Sequence, residues 1–252
     1  MLKKSETEYL RNHVSDDLKV VEVFDEIDST NRYAREVLSQ VHRSGLAVAD
    51  HQSDGRGCRG HSFFSPKGGL YMTLYYPQDA GSQALLTLAA GVATVKGIQQ
   101  CTGVETSLKW VNDIYLNGKK LGGILCELFR NADGSVLGMA VGIGINLHQQ
   151  EFPEDIRDKA CALNVDVNAL DLAAAIANHL NAYVHHPEKD QLIQSYRSYS
   201  MILNRRVSFE MDRIIHNGIA SGIDDEGRLE VTEDNGKVSI LDSGEVSLAG
   251  WK

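Results

Sequence analysis

Two short segments of this 252-residue chain carry residue types that can handle a charged, reacting group. The first is Gly55-Arg56-Gly57-Cys58-Arg59-Gly60. Its glycines let the backbone approach a bound group closely, and Arg56 and Arg59 can offer guanidinium donors to carboxylate or phosphate oxygens. That combination suits an acyl phosphate or an adenylate, although a basic surface turn accounts for the bare pattern equally well. The second segment is Lys109-Trp110-Val111-Asn112-Asp113, followed closely by Lys119-Lys120. A lysine near a nucleotide can stabilise charge developing on a transferring phosphoryl group, and a carboxylate can help hold magnesium. Taken alone, an exposed hairpin with solvated charges explains this segment at least as well.

The first segment formally satisfies G-x-G-x-x-G after a strand, and Asp79 stands downstream where a ribose-binding acid would. A dinucleotide fold needs a helix to open at those glycines. Pro66 and Gly68-Gly69 break the chain where that helix would run, so this reading is rejected. Charge supplies a further locator. The chain is acidic, with a net charge of −9, which argues against general nucleic-acid binding. Yet the 24 residues between Asp54 and Asp79 contain no carboxylate and carry Arg56, Arg59, His61 and Lys67. An anion site in an acidic protein needs such a window.

The elements that must position these residues follow from periodicity. Leu18 to Phe24 reads as a strand running into Asp28-Ser29-Thr30-Asn31, each able to cap a helix, and Tyr33, Ala34, Val37, Leu38 and Val41 keep helical spacing. Leu46 to Ala49 and Leu70 to Tyr76 read as strands, and Gln83 to Gln100, apolar all round, as a buried helix. Ser107 to Trp110 is a further strand. Asn117-Gly118 is a strong hairpin signal, joining Ile114–Leu116 to the apolar strand Leu121 to Phe129. A turn at Asn131 to Gly134 leads to the strand Val136 to Leu147. Strands joined by hairpins imply an antiparallel or mixed sheet. Leu170 to Tyr183 and Gln191 to Tyr199 read as helices.

From Arg206 the pattern changes to short strands, Val207 to Met211, Ile214 to Ile223, Leu229 to Thr232 and Val238 to Leu241, which predicts a small β-barrel. The expected class is α+β, with a mixed sheet and flanking helices over residues 1–203 and the barrel over 204–252. Cys58, Cys101, Cys126 and Cys161 form no C-x-x-C pair, so neither a zinc site nor a disulfide framework is expected. At least three of them are expected to be small core residues. With no membrane-length apolar run and a polar N-terminus, a cytoplasmic location and no membrane partner are expected.

Five segments in order carry a resemblance: Asp28-Ser29-Thr30-Asn31; Gln52 with the glycine-arginine loop; Lys109 to Asp113; Lys120-Leu121-Gly122-Gly123-Ile124-Leu125; and Gly142-Ile143-Gly144-Ile145-Asn146. Together they resemble the biotin protein ligases over roughly residues 20 to 250. The resemblance implies a biotin/lipoate ligase-like catalytic domain with an SH3-like C-terminal barrel. It also implies that biotin is activated with Mg-ATP to biotinyl-5'-AMP and passed to a lysine of a biotin carboxyl carrier protein domain of a biotin-dependent carboxylase.

Carried over residue by residue, the resemblance implies that Ser29, Thr30, Asn31 and Gln52 line the pocket for biotin's rings. Arg56 and Gly57 would hold the reacting carboxylate and phosphate, with Cys58 beside them. Lys109 would stabilise charge in adenylation, and Lys120 would contact the biotinyl group. Arg59, Asn112, Asp113 and Asn146 would serve ATP, with Asp113 reaching its magnesium. The chain departs from the family pattern in three places. Cys58 stands where a second arginine of Gly-Arg-Gly-Arg is usual, Phe63 or Phe64 replaces a tryptophan, and Val111 replaces a proline. Some members add an N-terminal DNA-binding domain. Fewer than twenty residues precede the first strand here, so a monofunctional enzyme without DNA binding is expected. The family includes monomers and sheet-paired dimers, so a homodimer is one admitted arrangement. The rivals are a lipoate or octanoate ligase of the same fold and a non-catalytic biotin-binding homologue, the latter suggested only by Cys58.

Overall fold

The computed structural model describes residues 2–77, 82–148 and 151–248. Asp79 and the side chain of Arg59 lie outside the described residues. In chain order the elements are α1 (Lys4–Arg11), β1 (Val20–Phe24), α2 (Thr30–Val41), β2 (Gly45–Ala49), β3 (Gly69–Tyr76) and α3 (Gln83–Thr102). There follow β4 (Ser107–Lys109), β5 (Asp113–Leu116), β6 (Lys119–Arg130), β7 (Val136–Asn146), α4 (Ala169–His185) and α5 (Lys189–Tyr199). The C-terminal strands are β8 (Arg206–Met211), β9 (Ile214–Ile223), β10 (Leu229–Glu233), β11 (Val238–Leu241) and β12 (Val246–Leu248). Helix α1 and strand β12 have no counterpart in the reading of the sequence, and the strand at Ser107 ends at Lys109, one residue early.

Strands β1 to β7 form one sheet in the order β1-β2-β3-β7-β6-β5-β4. Only β1–β2 is parallel; the other neighbours are antiparallel, so the sheet is mixed as expected. The Asn117-Gly118 turn has both residues at positive φ, 49° and 79°, the conformation of a two-residue hairpin whose twist matches its strands.

Side chains alternate across the sheet. Val21, Val48, Leu70, Met72, Leu74, Val141, Ile143 and Ile145 point to one face and join a continuous core with α3, α4 and α5. On the other face α2 lays Ala34 and Leu38 on Ala47, Tyr75 and Ala140. Towards the start of α2 this second face continues along β7 as Gly142 and Gly144, whose lack of side chains lets Asn31 and the Phe63 ring approach the strand closely. The cleft described below lies on that glycine floor.

The C-terminal strands form an antiparallel sheet, β11-β10-β9-β8-β12. The expected barrel is not closed: among the described residues β11 and β12 do not pair, and the description of β12 ends at Leu248. This sheet is tied to the first. Trp110 Nε1 donates to Gly227 O at 2.9 Å, and Arg197 Nε donates to Ile223 O at 3.0 Å. Among the described residues no helix is long and apolar enough to cross a membrane. Of the four cysteines, Cys126 alone is buried and Cys58, Cys101 and Cys161 are half-buried, so fewer than the expected three are core residues.

Candidate functional site

The start of α2 brings three polar residues onto the glycine floor. Ser29 caps the helix, its hydroxyl accepting from Arg32 N at 3.5 Å, and this turn sets Thr30 and Asn31 beneath it. Ser29, Thr30 and Asn31 are 2%, 3% and 5% exposed, so their polar groups must find partners within the protein or a ligand. The Thr30 N–H and hydroxyl both donate to Gln52 Oε1, at 2.9 and 3.0 Å. Gln52 Nε2 donates to Ser65 Oγ at 3.2 Å, and Ser65 Oγ to Phe63 O at 2.8 Å. On the opposite side Thr73 Oγ1 donates to Asn31 Oδ1 at 2.6 Å, with Thr30 Oγ1 at 2.8 Å, and Asn31 Nδ2 donates to Glu127 Oε2 at 2.7 Å.

Glycines create this space by close approach. A Cβ on Gly142 would lie 2.4 Å from Asn31 Oδ1, and one on Gly144 2.5 Å from the Phe63 ring. The segment Gly55 to Gly60 opens no α-helix. It doubles back, Gly57 N donating to His61 O at 2.7 Å and Phe63 N to Gly55 O at 2.8 Å, with a single 3₁₀ turn at Cys58–Gly60. This brings Arg56, Gly57 and Cys58 to the cleft mouth. One cleft is thereby lined by Ser29, Thr30, Asn31, Gln52, Arg56, Gly57, Cys58 and Lys120.

A second pocket adjoins it, lined by Lys109, Asp113, Tyr115, Asn146 and Glu245. Lys120 and Phe63 line both. Lys120 Nζ lies 2.5 Å from Asp113 Oδ1, and Lys109 Nζ sits 5.9 Å from the Tyr115 ring centroid. Burial, and then the nearby charges of Asp113, Glu245 and Cys161, push the Tyr115 phenol up to about 12, so it stays neutral. Asn146 Nδ2 donates to Cys161 O at 3.0 Å.

Asn112, grouped by the resemblance with the nucleotide residues, lies instead at the first cleft. Its Nδ2 is 3.1 Å from Ile124 O and 3.2 Å from Cys58 Sγ. The reason is local: Ile124 N donates to Asn112 O at 2.8 Å, which pins Asn112 against β6. Among the described residues Arg56 pairs with Asp54, at 3.9 Å, and its side chain is half exposed at the mouth.

For magnesium, no group of three or more His, Cys, Asp or Glu residues suited to a metal exists among the described residues. Asp113 beside Lys120 is a single carboxylate. A magnesium ion carried on nucleotide phosphates needs only one or two carboxylates, and this donor set fits that arrangement.

Sequence reasoning missed Thr73, Glu127, Tyr115 and Glu245. Signals for two of them existed. Glu127 is the one carboxylate in Lys119–Arg130, and Thr73 the one hydroxyl outside the tyrosines in Gly69–Tyr76. A charged residue inside an apolar strand is the informative exception.

Residues 23–146 match the Biotin/lipoate A/B protein ligase family, and residues 202–249 the Biotin protein ligase C terminal domain. The chain is 32% identical over 237 residues to the bifunctional ligase/repressor BirA of Bacillus subtilis, covering 89% of this chain and 72% of that protein. It is 30% identical over 217 residues to the biotin–[acetyl-CoA-carboxylase] ligase of Mycobacterium tuberculosis, covering 80% and 77%. The biotin protein ligase from Aquifex aeolicus in complex with biotin and ATP superposes with a TM-score of 0.75 at 28% identity, covering 90% of this chain and 97% of that one.

Proposed function

Because this chain belongs to the biotin protein ligases of the biotin/lipoate A/B protein ligase family, we propose that it joins biotin and ATP at the boundary between its two adjoining pockets. The observation that carries the proposal is Lys120, which lines both. The cleft of Ser29, Thr30, Asn31 and Gln52 takes the polar edge of biotin's ureido ring, with the thiophane ring on the apolar and glycine surfaces. The pocket of Lys109, Asp113 and Asn146 takes ATP, and Arg59 belongs with it by resemblance. The biotin carboxylate then meets the α-phosphate beside Arg56, Gly57 and Lys120.

In the reaction the carboxylate oxygen attacks the α-phosphorus and pyrophosphate leaves, giving biotinyl-5'-AMP. The acceptor lysine next attacks the acyl carbon and AMP leaves. Lys109 and Arg56 hold charge that builds on the phosphoryl group, and the two pockets fix the reactants in line. Magnesium, when bound, supplies charge neutralisation on the phosphates, and Asp113 is the residue that would reach it.

The acceptor is a biotin carboxyl carrier protein domain of a biotin-dependent carboxylase. The proposal divides the chain into a catalytic unit, residues 1–203, and a C-terminal unit, residues 204–252, working in the cytoplasm. A net charge of −9 supports an enzyme without DNA affinity. Lipoate is disfavoured because a linear acyl chain has no use for the polar groups of Ser29, Thr30, Asn31 and Gln52 at the cleft's end. The test is pyrophosphate release by the purified protein: dependent on both biotin and Mg-ATP, and not supported by lipoate. Folded protein that releases none with biotin refutes the proposal.

A further inference from the structure

We propose that Glu127 is a positioning residue that sets the donor and acceptor polarity of the biotin cleft through Asn31. The inference rests on reading that cleft as the biotin pocket. Glu127 comes from the second half of β6, stands outside the cleft lining among the described residues, and reaches the cleft through Asn31, whose Nδ2 donates to it at 2.7 Å.

An asparagine carboxamide is nearly symmetric in shape, so its two orientations differ only in what their partners donate and accept. An ionised carboxylate is acceptor-only. Glu127 therefore forces the Asn31 amide nitrogen towards itself, because the flipped carboxamide would set oxygen against oxygen. The Asn31 oxygen then faces Thr73 and takes its hydroxyl hydrogen at 2.6 Å. On the other side the Thr30 N–H fixes Gln52 Oε1, and that oxygen takes the Thr30 hydroxyl hydrogen. Gln52 is left to donate to Ser65, whose hydrogen goes to Phe63 O.

The hydrogens of Thr30, Thr73 and Ser65 are thus all directed at protein oxygens. What this corner of the cleft offers a ligand is lone pairs, from Thr30 Oγ1 and Asn31 Oδ1, with Thr73 fixing both from beneath. It selects ligands with N–H donors at this end. Without the carboxylate, only the long 3.5 Å contact from Asn31 Nδ2 to Leu125 O opposes a flip, Thr73 loses its fixed acceptor, and the corner becomes a mixture of donors and acceptors.

The experiment is steady-state pyrophosphate release with biotin varied, on wild type, Glu127→Leu, Glu127→Gln and Thr73→Val. A second probe is biotin methylated at the ureido nitrogens. Glu127→Leu raises the biotin KM about tenfold and leaves kcat and the ATP KM within about twofold, roughly the effect of losing one charge-assisted hydrogen bond. Glu127→Gln, which keeps an acceptor oxygen for Asn31, restores the KM to within about threefold of wild type. Thr73→Val, which leaves Glu127 untouched, raises the KM in the same way. The preference for biotin over its methylated analogue shrinks in Glu127→Leu. A merely structural role would lower kcat and melting temperature together and leave that preference intact, which overturns the proposal. So does an unchanged biotin KM in either Glu127→Leu or Thr73→Val. A wild type that releases no pyrophosphate with biotin removes the reading of the cleft, and the proposal with it; a normal wild type with unresponsive variants removes the proposal alone.

Discussion

The two faces of the seven-stranded sheet share the same strands yet do opposite work. On one face the alternate residues are large and apolar, as in Val141, Ile143 and Ile145 of β7, and they close against three helices. On the other, the intervening residues of β7 are Ala140, Gly142, Gly144 and Asn146, with α2 over Ala140 and Gly142 and the Phe63 ring against Gly144. One strand therefore stabilises the fold with its odd positions and makes room for chemistry with its even ones. The period-two alternation of β-structure lets stability and function be encoded in the same eleven residues, Val136–Asn146, without competing.

The strongest test of this separation is on the packed face. Leu74, fully buried in β3, touches the core shared with the helices and has no part in the cleft. Leu74→Ala is expected to lower folding stability by about 2–5 kcal/mol, through lost burial and the cavity left behind. The biotin KM measured well below the lowered transition is unchanged. Denaturant titration reads the first quantity and pyrophosphate release the second; a raised KM would show that the faces are coupled.

The reverse case is Lys109, which stands half-buried over Tyr115 at the nucleotide pocket. Removing a group that stabilises transition-state charge lowers rates by about 10²–10³-fold. Lys109→Ala is therefore expected to reduce adenylation by that factor, while biotin affinity and melting temperature barely move, because the cation–π contact contributes only about 0.5–1 kcal/mol. Single-turnover adenylation and calorimetric biotin binding separate the two. An unchanged rate would remove Lys109 from the reaction.

Gly144→Ala sharpens the comparison at its boundary. The added methyl would sit 2.5 Å from the Phe63 ring, which must move, whereas a methyl at a packed-face position is ordinary core. Overpacking of this kind costs about 1–3 kcal/mol. Here it is expected mainly as a biotin KM raised about tenfold, with melting temperature nearly unchanged, because Phe63 stands at the edge of the cleft. A normal KM with lowered stability would mean that Phe63 belongs to the core rather than the site.

What the sequence made legible follows the range of the interactions. The strand-cap-helix at Ser29 and the Asn117-Gly118 hairpin are set by neighbours a few residues apart, and both were read correctly. Residues of all five ordered motifs gather at the cleft, some from turns and the start of α2 and others from within β6 and β7. Thr73 and Glu127 escaped because their partner Asn31 lies 42 and 96 residues away, and only the sheet order brings them together. Trp110 sits inside a motif, yet its indole donates to Gly227 O, 117 residues on, a tie to the C-terminal sheet that no local pattern announces. Helix α1 was missed because its eight residues are mostly polar; it is held by packing on β1 rather than by a pattern of its own.

Cys58 offers the finest distinction between the faces. It lines the cleft, with Asn112 Nδ2 at 3.2 Å from its sulfur and Ile124 O at 3.6 Å, so it is half-buried against β6. The resemblance sets an arginine at this place in the loop. A guanidinium would point charge-assisted donors towards the phosphate of a bound adenylate, and cysteine has none to offer. Cys58→Arg is expected to slow release of biotinyl-5'-AMP about tenfold, the worth of roughly 1.4 kcal/mol. Its synthesis continues, because Asn112 keeps its bond to Ile124 O and the cleft floor is untouched. The check is the dissociation rate of preformed biotinyl-5'-AMP from wild type and variant, both shown to be folded. Equal rates would mean that position 58 belongs to the packing side of this site and that retention of the adenylate is set elsewhere in the loop.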